Sequence, residues 1–447
     1  MNFFEKILYK KISIWIWLIS IFSFLLISLV LLWSLYYVFT ADYPNGFKYK
    51  LGKNVRNVAE FTDNSLRLID DFTSTIDSRK IKFDKFRSFK IYDNNFIDNG
   101  YLLFSSIDIN SNPSTFLYDL SLKKIIYVWS WPINEILEKT SIQKKITKCC
   151  FRAQHPLILD DGSLISNSSQ GPLVKIDKYS KIKWVLDKHT HHSISLDSNK
   201  NIIVPSVVDS RPDRIFLPTR DDGYIKVSPS GKIIEETSIR DILEKNKYYG
   251  LLYGIGDFKD DLIHLNDAEP ILTSDQFVKK DDLMFSSRNL STVFLYRPST
   301  EKIIWLKNGP WLKQHDVDYN GNGKFSVFDN GVIDSYTNII KENIPENRIK
   351  NNQNSIKEFD MKDNKITEKF SLTKNNKIFT SAEGLHRILK NKDVFVEETQ
   401  EGILHRISKN GNLRWSFVNR LDKNYIGSLH WSRYYHQEEL NLDWLNK

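Results

Sequence analysis

The apolar positions of the chain begin with one long uninterrupted stretch. Residues 12–39 contain no charged side chain. A helix needs about 20 apolar residues to cross a bilayer, so this stretch is long enough to span one. Trp15, Trp17, Tyr36 and Tyr37 lie near its two ends, where aromatic side chains favour the membrane interface. The pattern predicts a transmembrane helix over residues 12–40, preceded by a tail of residues 1–11.

The charges beside this stretch predict its orientation. Lys6, Lys10 and Lys11 precede it. Basic residues that flank a membrane helix stay on the cytoplasmic side, so the chain after residue 40 is expected outside the cytoplasm, in the periplasm. A cleaved signal peptide has an apolar region of about 7–15 residues, which is shorter than this one. The sequence therefore favours an uncleaved signal anchor.

The apolar spacing then becomes helical and afterwards changes to that of short strands. Between residues 51 and 78 it includes Leu51, Val55, Val58, Phe72 and Ile76. This spacing predicts a membrane-proximal helical stalk within residues 41–82. Residues 83–447 form the remaining predicted domain.

This domain is built from a repeat of strand, short turn and second strand. The six copies lie at residues 116–129, 173–184, 224–234, 293–305, 356–366 and 403–415. A polar turn of Asp, Asn or Gly and a short apolar strand precede each copy, as at residues 160–165 and 320–328. These turn residues tolerate the left-handed backbone that tight hairpins need.

Six units of four short antiparallel strands predict an all-β, six-bladed β-propeller over residues 83–447. A single unit would expose both faces of its sheet, and radial stacking buries them. The alternative is a β-sandwich or two stacked β domains, against which the regular count argues. Two insertions, residues 209–222 and 334–354, interrupt the units, and long loops in compact domains are often functional.

The composition of the chain limits the classes of binding partner. Hydrophobic residues make up 41% of the chain and aromatic residues 13%, which is enough for a large core. The net charge is +8, but the lysines are scattered and no basic block is interleaved with aromatic residues. We therefore expect no nucleic-acid partner. The two cysteines, Cys149 and Cys150, are adjacent, which leaves a strained vicinal disulfide or two buried thiols open.

Six of the ten histidines fall at one place in the repeat, at the beginning of the segment that leads into the polar turn. In a propeller this strand is innermost, so we expect these side chains to ring one mouth of the channel. Neutral imidazole can attack as a nucleophile, donate a hydrogen bond or bind a metal. The six are His155, His192, His264, His315, His386 and His430.

Three of these six carry further expectations. His155 and His386 are more readily explained as hydrogen-bonded core residues. His430 follows the last unit. It predicts a C-terminal strand that completes the first blade and closes the ring.

Five segments then resemble the arylsulfotransferase (arylsulfate sulfotransferase) family of exported bacterial propellers. They lie at residues 261–267 (DLIHLND), 283–291 (LMFSSRNLS), 314–317 (QHDV), 328–331 (FDNG) and 429–433 (LHWSR). The resemblance implies sulfuryl transfer from an aryl sulfate ester to a phenolic acceptor, without an adenylyl-sulfate donor. The chain has no Gly-rich phosphate-binding loop, which agrees with that expectation.

The resemblance also implies roles for individual residues. His430 matches the histidine that is transiently sulfated in the family, and His264 and His315 match the two other site histidines. Donor and cationic groups are expected to stabilise the sulfuryl oxygens. The candidates for this substrate binding are Asn266, Arg288, Arg433 and His192.

The chain departs from the family at one position, and other functions stay open. The family has a sulfuryl-binding arginine shortly after the Phe-Asp-Asn-Gly segment, but Val332 and Ile333 follow here. Each of the two candidate arginines could instead form an inter-blade salt bridge. A non-catalytic propeller that binds a ligand or protein at the channel mouth is the alternative function. Metal-dependent chemistry on the histidine ring, or a quinone cofactor, is the third.

The sequence predicts an enzyme without a cofactor and assigns no residue to a metal site, and it leaves a metal requirement open. The expected partners are an aryl sulfate donor, a phenolic acceptor and the membrane around the N-terminal helix. A homodimer is left open.

Overall fold

A computed structural model describes most of the chain. The described residues are 14–40, 80–82, 89–107, 112–142, 151–168, 170–208, 220–254, 261–332, 353–421 and 425–446. The predicted N-terminal tail and stalk, Cys149, Cys150 and most of both insertions lie outside these residues. The chain divides into two compact units, Met1–Thr75 and Ile76–Lys447.

In the first unit the described residues form one helix, α1 (Ile14–Thr40). Its segment Ile14–Trp33 is long and apolar enough to cross a membrane once, with a mean hydropathy of 2.6. The apolar side chains along this segment are exposed. The prediction of an N-terminal apolar helix is therefore confirmed, and residues 12 and 13 of the predicted span lie outside the described residues.

The second unit consists of short strands joined by turns. The first strands are β1 (Lys80–Lys82), β2 (Phe89–Ile91), β3 (Tyr101–Ile107), β4 (Pro113–Asp119), β5 (Lys124–Ser130), β6 (Ala153–Ile158), β7 (Leu164–Ser168), β8 (Gly171–Ile176) and β9 (Ile182–Thr190). The next are β10 (Ser195–Leu196), β11 (Ile202–Val207), β12 (Asp222–Val227), β13 (Ile233–Ser238), β14 (Leu265–Pro270), β15 (Leu283–Ser287), β16 (Thr292–Arg297), β17 (Lys302–Asn308) and β18 (His315–Gly321). The last are β19 (Lys324–Asp329), β20 (Ser355–Asp360), β21 (Lys365–Ser371), β22 (Leu385–Ile388), β23 (Val394–Glu398), β24 (Ile403–Ile407), β25 (Leu413–Val418), β26 (Tyr425–Gly427) and β27 (Arg433–Tyr435).

Short helices lie between some of these strands. They are α2 (Ile133–Glu138), α3 (Ile239–Lys245) and α4 (Tyr249–Tyr253), with 3₁₀ turns at Pro298–Thr300, Gln437–Glu439 and Asp443–Asn446 and a π turn at Leu372–Asn376. α3 begins where the Ser238 side chain accepts a hydrogen bond from the Asp241 N–H. Such a cap satisfies a helix N–H that has no partner within the helix.

Each of the six predicted repeat copies folds into an antiparallel hairpin. The pairs are β4–β5, β8–β9, β12–β13, β16–β17, β20–β21 and β24–β25. The polar turns that precede them also connect antiparallel strands, as between β6 and β7, where Gly162 has a φ of 77°. The strand-turn-strand prediction is thus confirmed.

The prediction of six separate blades is wrong. The structure shows a propeller-like arrangement with four blades of four or five strands: β14–β17, β18–β21, β22–β25 extended by β2, and β3–β5 extended by β27. The strands β6–β13 instead form one eight-stranded sheet. The cause is a single pairing between Thr190 on the nine-residue β9 and Ser206 on β11, which joins two repeat units edge to edge.

The C-terminal strand lies beside the first repeat unit, as expected. Arg433 of β27 pairs with Leu103 of β3. The hydrophobic core consists of clusters between neighbouring units, and one of them packs Leu102 and Phe104 against Phe395 and Phe417. Contacts between the first and the last repeat units therefore close the arrangement. The innermost strands begin around one central region, which contains the candidate site.

Candidate functional site

The backbone turns sharply where several inner strands begin. The φ angles of His155, His192 and His264 are 46°, 57° and 48°, and those of Asp316 and Trp431 are 52° and 59°. Left-handed backbone is uncommon for residues other than glycine, and it concentrates at functional sites. Three of the predicted histidines are therefore held in a conformation that the surrounding structure must enforce.

Three histidines meet at these turns. One ring nitrogen each from His192, His264 and His315 lies within 4.8 Å of the other two. The ring of His192 is 5.2 Å from that of His264 and 6.2 Å from that of His315, measured between centroids. His192 and His315 are buried, whereas 23% of the His264 side chain is accessible. We call these three residues the imidazole triangle.

Two rings of the triangle are held through Nδ1 by an oxygen. His264 Nδ1 lies 2.5 Å from Asp261 Oδ2, and His315 Nδ1 lies 2.7 Å from Asn330 Oδ1. Burial opposes ionisation of Asp261, but the hydrogen bond and charge of His264 outweigh it and lower the pKa of that carboxyl group. Because Nδ1 of each ring is engaged in this way, Nε2 is the ring nitrogen that can face a substrate.

The third ring is held by another histidine. His192 Nδ1 lies 2.9 Å from His191 Nδ1, and His191 Nε2 lies 2.7 Å from Arg220 Nη2. Asp222 Oδ1 is 2.5 Å from Arg220 Nε, and its Oδ2 accepts a hydrogen bond from the Leu265 N–H. A chain of buried polar groups therefore connects the triangle to the beginning of β12 and β14.

Burial keeps two of these imidazoles uncharged. It lowers the pKa of His192 and of His315 well below the ordinary histidine value, and the Arg288 guanidinium lowers that of His315 further. Both rings are therefore neutral near pH 7. Arg288 is buried, and its backbone N–H donates to the His264 carbonyl oxygen. Of the predicted substrate-binding residues, His192 and Arg288 thus lie beside His264 and His315, two of the three predicted catalytic histidines.

Two other predicted substrate-binding residues hold the backbone of neighbouring strands. Asn266 is completely buried, and its Nδ2 donates to the Gln314 carbonyl oxygen over 2.8 Å. The Arg433 guanidinium donates to the carbonyl oxygens of Pro156, at 2.7 Å, and of Ile194. Arg433 therefore joins units through hydrogen bonds to carbonyl groups, where the sequence suggested either a substrate contact or an inter-blade salt bridge.

His386 lies in a separate, carboxylate-lined cavity of about 290 Å³. Its Nδ1 is 2.7 Å from Asp316 Oδ2, and its Nε2 is 2.7 Å from Ser326 Oγ. Both ring nitrogens are occupied, and Ser326 is completely buried, so this Ser–His–Asp arrangement supports the structure. Asp267, Glu269 and Asp318 also line the cavity.

Burial raises the pKa of the carboxyl groups in this cavity. The pKa of Asp316 is raised to about 8. Burial and the charge of Asp316 raise the pKa of both Asp267 and Asp318 to about 7. The cavity therefore takes up protons near neutral pH.

Within the part of the chain that the structure describes, two groups of side chains come close enough together to hold a metal ion. One is the imidazole triangle, and the other is Asp316, Asp318 and His386. A metal-bound histidine usually donates its second ring N–H to an oxygen, as His264 and His315 would. In the second group, His386 has no free ring nitrogen.

Sequence comparison identifies the chain by its central part. The family model of arylsulfotransferases (ASST) matches residues 155–420, which is more than half of the chain. The chain belongs to the arylsulfotransferase family. A search of curated proteins found no match.

Solved structures resemble this arylsulfotransferase at low identity. A protein of unknown function from Bacteroides caccae is 10% identical, with a TM-score of 0.48 over 76% of this chain and 100% of its own. A streptogramin B lyase is 10% identical, with a TM-score of 0.40 over 76% and 96%. A catalytically inactive virginiamycin B lyase from Staphylococcus aureus is 12% identical, with a TM-score of 0.41 over 76% and 99%.

His430, the expected nucleophile, lies ten residues beyond the arylsulfotransferase match. His430 lines a small cavity together with Ser105 and Arg152. The adjacent Trp431 contributes the ring that approaches the triangle, 5.8 Å from His192. His430 is in neither of the side-chain groups that come together among the described residues. Its role as nucleophile stays a prediction.

Sequence reasoning missed the partners that hold the triangle. Asp261 and Asn330 stand inside two of the quoted arylsulfotransferase segments, so a signal for them was present. His191 directly precedes His192, and the double histidine was a further signal. Arg220 lies within the insertion of residues 209–222, and nothing in the local pattern distinguishes it.

Proposed function

We propose that this arylsulfotransferase transfers a sulfuryl group from an aryl sulfate ester to a phenol at the imidazole triangle. The observation that carries the proposal is the convergence of His192, His264 and His315 with every Nδ1 engaged by another side chain. This arrangement leaves three Nε2 atoms for one small substrate group. Membership of the arylsulfotransferase family supports the choice of sulfuryl transfer.

The proposed reaction proceeds in two displacements. A neutral histidine nitrogen attacks sulfur in line, the S–O bond to the aryl group breaks, and a phenolate leaves with the electron pair. A second phenol then gives up its proton, which the released phenolate takes up through the solvent, and attacks the sulfohistidine, which breaks the N–S bond and regenerates neutral imidazole. No adenylyl-sulfate donor takes part.

Electrostatics near the triangle suit this chemistry. Negative charge stays on the sulfuryl oxygens throughout, and fixed donors or cations in a buried site stabilise such charge. Arg288 lies close enough to His315 for its charge to lower the pKa of that ring. Arg288 therefore takes the place of the arginine that the family has after the Phe-Asp-Asn-Gly segment.

We further propose that α1 is an uncleaved signal anchor and that the propeller-like unit lies outside the cytoplasm. The length and apolar character of α1 support this, together with the three lysines that precede it. Adenylyl-sulfate donors are scarce in that compartment, so an aryl sulfate donor suits it. Protease accessibility of the C-terminal unit in intact cells and in spheroplasts tests this placement.

Purified full-length chain in detergent tests the reaction, with a chromogenic aryl sulfate and a second phenol. We expect release of the chromogenic phenolate together with sulfation of the acceptor. His264→Ala and His315→Gln should each lower the rate by about 10²–10⁴-fold, the usual range for a lost catalytic group. The exposed His189 gives a matched control, and His189→Ala should retain the wild-type rate.

Peptide mass spectrometry without acceptor identifies the attacking residue. The sulfuryl adduct is expected on a histidine, and the candidates are His430, from the family motif, and His264 or His315, from the triangle. His430→Ala separates them, because the adduct disappears in this variant only if His430 is the nucleophile. Sulfuryl transfer is refuted if the wild type shows no turnover and forms no adduct.

That negative result would favour a binding role. The missing arginine after Gly331 is the observation that supports this second candidate. A non-catalytic protein should bind an aryl sulfate in calorimetry without turning it over, and His315→Gln should weaken the binding.

A further inference from the structure

The hydrogen-bonding capacity of Arg220 determines the positions of two protons. A guanidinium group has donors and no acceptor. Because Arg220 Nη2 is 2.7 Å from His191 Nε2, the latter must be an acceptor without a hydrogen. Since Nε2 carries no hydrogen, the ring cannot be an imidazolium, which has a hydrogen on both nitrogens, and it is therefore neutral. Burial lowers the pKa of His191 against the opposing effect of Asp222, which agrees with this. A neutral imidazole has one N–H, which in His191 is therefore on Nδ1.

The same argument applies to the ring of His192. His191 Nδ1–H donates to His192 Nδ1 over 2.9 Å. His192 Nδ1 is then an acceptor, and the single hydrogen of the neutral His192 ring lies on Nε2. Because Nδ1 is engaged by His191, Nε2 is the ring nitrogen left for the group of nitrogens that His192 shares with His264 and His315.

His315 has the opposite arrangement. The Asn330 amide nitrogen donates to the carbonyl oxygens of Glu383, at 2.9 Å, and of Thr380, at 3.2 Å. These two contacts orient the amide so that Oδ1 faces His315 Nδ1. An amide oxygen only accepts, so the hydrogen of His315 lies on Nδ1 and the lone pair on Nε2.

We infer that Arg220 and His191 are positioning residues that fix His192 as the hydrogen-bond donor of the imidazole triangle, while Asn330 fixes His315 as a lone-pair acceptor. His264 also presents a lone pair when neutral, because its Nδ1–H donates to Asp261. The triangle then offers one N–H and two lone pairs to a bound group. The role in catalysis that follows rests on the proposed sulfuryl transfer.

This assignment gives the three histidines different roles in the reaction. His192 Nε2–H donates to a sulfuryl oxygen and keeps its proton throughout, so His192 is not the nitrogen that attacks sulfur. A lone pair of His264 or His315 faces the sulfur atom or the acceptor hydroxyl group. The triangle also offers only two lone pairs to a metal ion, because the His192 Nε2–H points inward.

Nitrogen NMR tests the assignment without any substrate. Full-length protein in detergent is labelled with ¹⁵N-histidine, and single His→Gln variants assign the signals. At pH 7 we expect a protonated Nε2 in His192 and a protonated Nδ1 in His191 and His315. A His192 ring protonated on Nδ1 would overturn the inference, whatever the enzyme transfers.

Variants of Arg220 test the positioning itself. Arg220→Met removes the obligatory donor, so His192 should show a mixture of both tautomers, whereas Arg220→Lys should retain the Nε2–H form. If the sulfuryl transfer holds, Arg220→Met should lower kcat by at least about tenfold, within the range for a lost oxyanion donor, and Arg220→Lys by much less. An unchanged His192 tautomer in Arg220→Met overturns the relay.

A second variant covers the case in which Arg220→Met does not fold. His191→Phe removes the donor to His192 and leaves Arg220 beside Asp222. It should release the His192 tautomer in the same way, and a His192 ring that stays entirely in the Nε2–H form contradicts the relay. If the tautomers are as inferred but no sulfuryl is transferred, the proposed function fails alone.

Discussion

Replacing Asp222 with asparagine should destabilise the propeller-like unit. Asp222 is completely buried at the beginning of β12. Its carboxylate accepts from Arg220 Nε at 2.5 Å and from the Leu265 N–H at 2.8 Å, and lies 3.6 Å from His191 Nε2. Asparagine has nearly the same shape but carries no charge and presents an N–H₂ group to one of these donors.

The magnitude follows from the pKa of the carboxyl group. Burial opposes ionisation of Asp222, but the hydrogen-bond donors around the carboxylate and the charge of Arg220 outweigh it and lower the pKa from 3.8 to about 2. A shift of this size corresponds to about 2 kcal/mol of stability. Because the folded-state pKa is lowered, this stability is present above about pH 4 and is lost as the pH falls towards 2. Removing one partner of a buried pair costs about 3–5 kcal/mol, so we expect a loss of about 2–4 kcal/mol at pH 7.

Urea unfolding at pH 7, followed by tryptophan fluorescence, measures this loss. Asp160→Asn is the matched control, because Asp160 lies 3.2 Å from Lys200 with both side chains more than 70% exposed. Exposed pairs contribute less than about 1 kcal/mol. Equal losses in the two variants would show that the buried carboxylate does not hold the sheet as described.

Three further predictions concern the fold and its cavity. Gly162→Ala should lower Tm more than Gly321→Ala. Both residues have left-handed φ, but only at Gly162 would an added Cβ meet the Trp444 ring, at 2.5 Å. Equal shifts of Tm in thermal unfolding would contradict this packing. Asp318→Asn should raise the stability of the protein at pH 8 and have little effect on it near pH 4. Burial and a neighbouring carboxylate raise the folded-state pKa of Asp318 to about 7, so the wild type loses stability as the pH rises through that value. A Tm difference independent of pH would refute the assignment. Arg433→Met should lower the free energy of unfolding by at least about 2 kcal/mol, because it leaves buried carbonyl groups without donors. If the variant instead loses only substrate affinity, Arg433 has the substrate-binding role that the sequence suggested.

The parts of the fold that the sequence predicted are those with a local signal. The uninterrupted apolar stretch predicted α1, and the repeated strand-turn-strand pattern predicted every hairpin of the repeat. The division into blades was not predictable in this way. It depends on the contact of Thr190 with Ser206. The register of β9 against β8 shifts between Leu186 and Thr190, and Thr190 pairs with Gly171 of β8 as well as with Ser206 of β11.

In the candidate site, too, the sequence predicted the residues with a local signal and missed those that depend on long-range contacts. The register of the repeat pointed to His264 and His315, and the structure brings both rings to one place. The groups that hold the rings come from other parts of the chain, since Arg220 is 29 residues from His191 and Asn330 is 15 from His315. The charge and proton positions in the triangle follow from these contacts, so no pattern along one strand could predict them.

The most direct test of sulfuryl transfer is a double measurement on one sample of the full-length protein. Chromogenic phenolate release and acceptor sulfation are followed together, in the wild type and in His315→Gln. Our account predicts equal amounts of the two products in the wild type and a loss of both by at least about 10²-fold in the variant. Phenolate release without acceptor sulfation, or an unchanged rate in a folded His315→Gln variant, would contradict it.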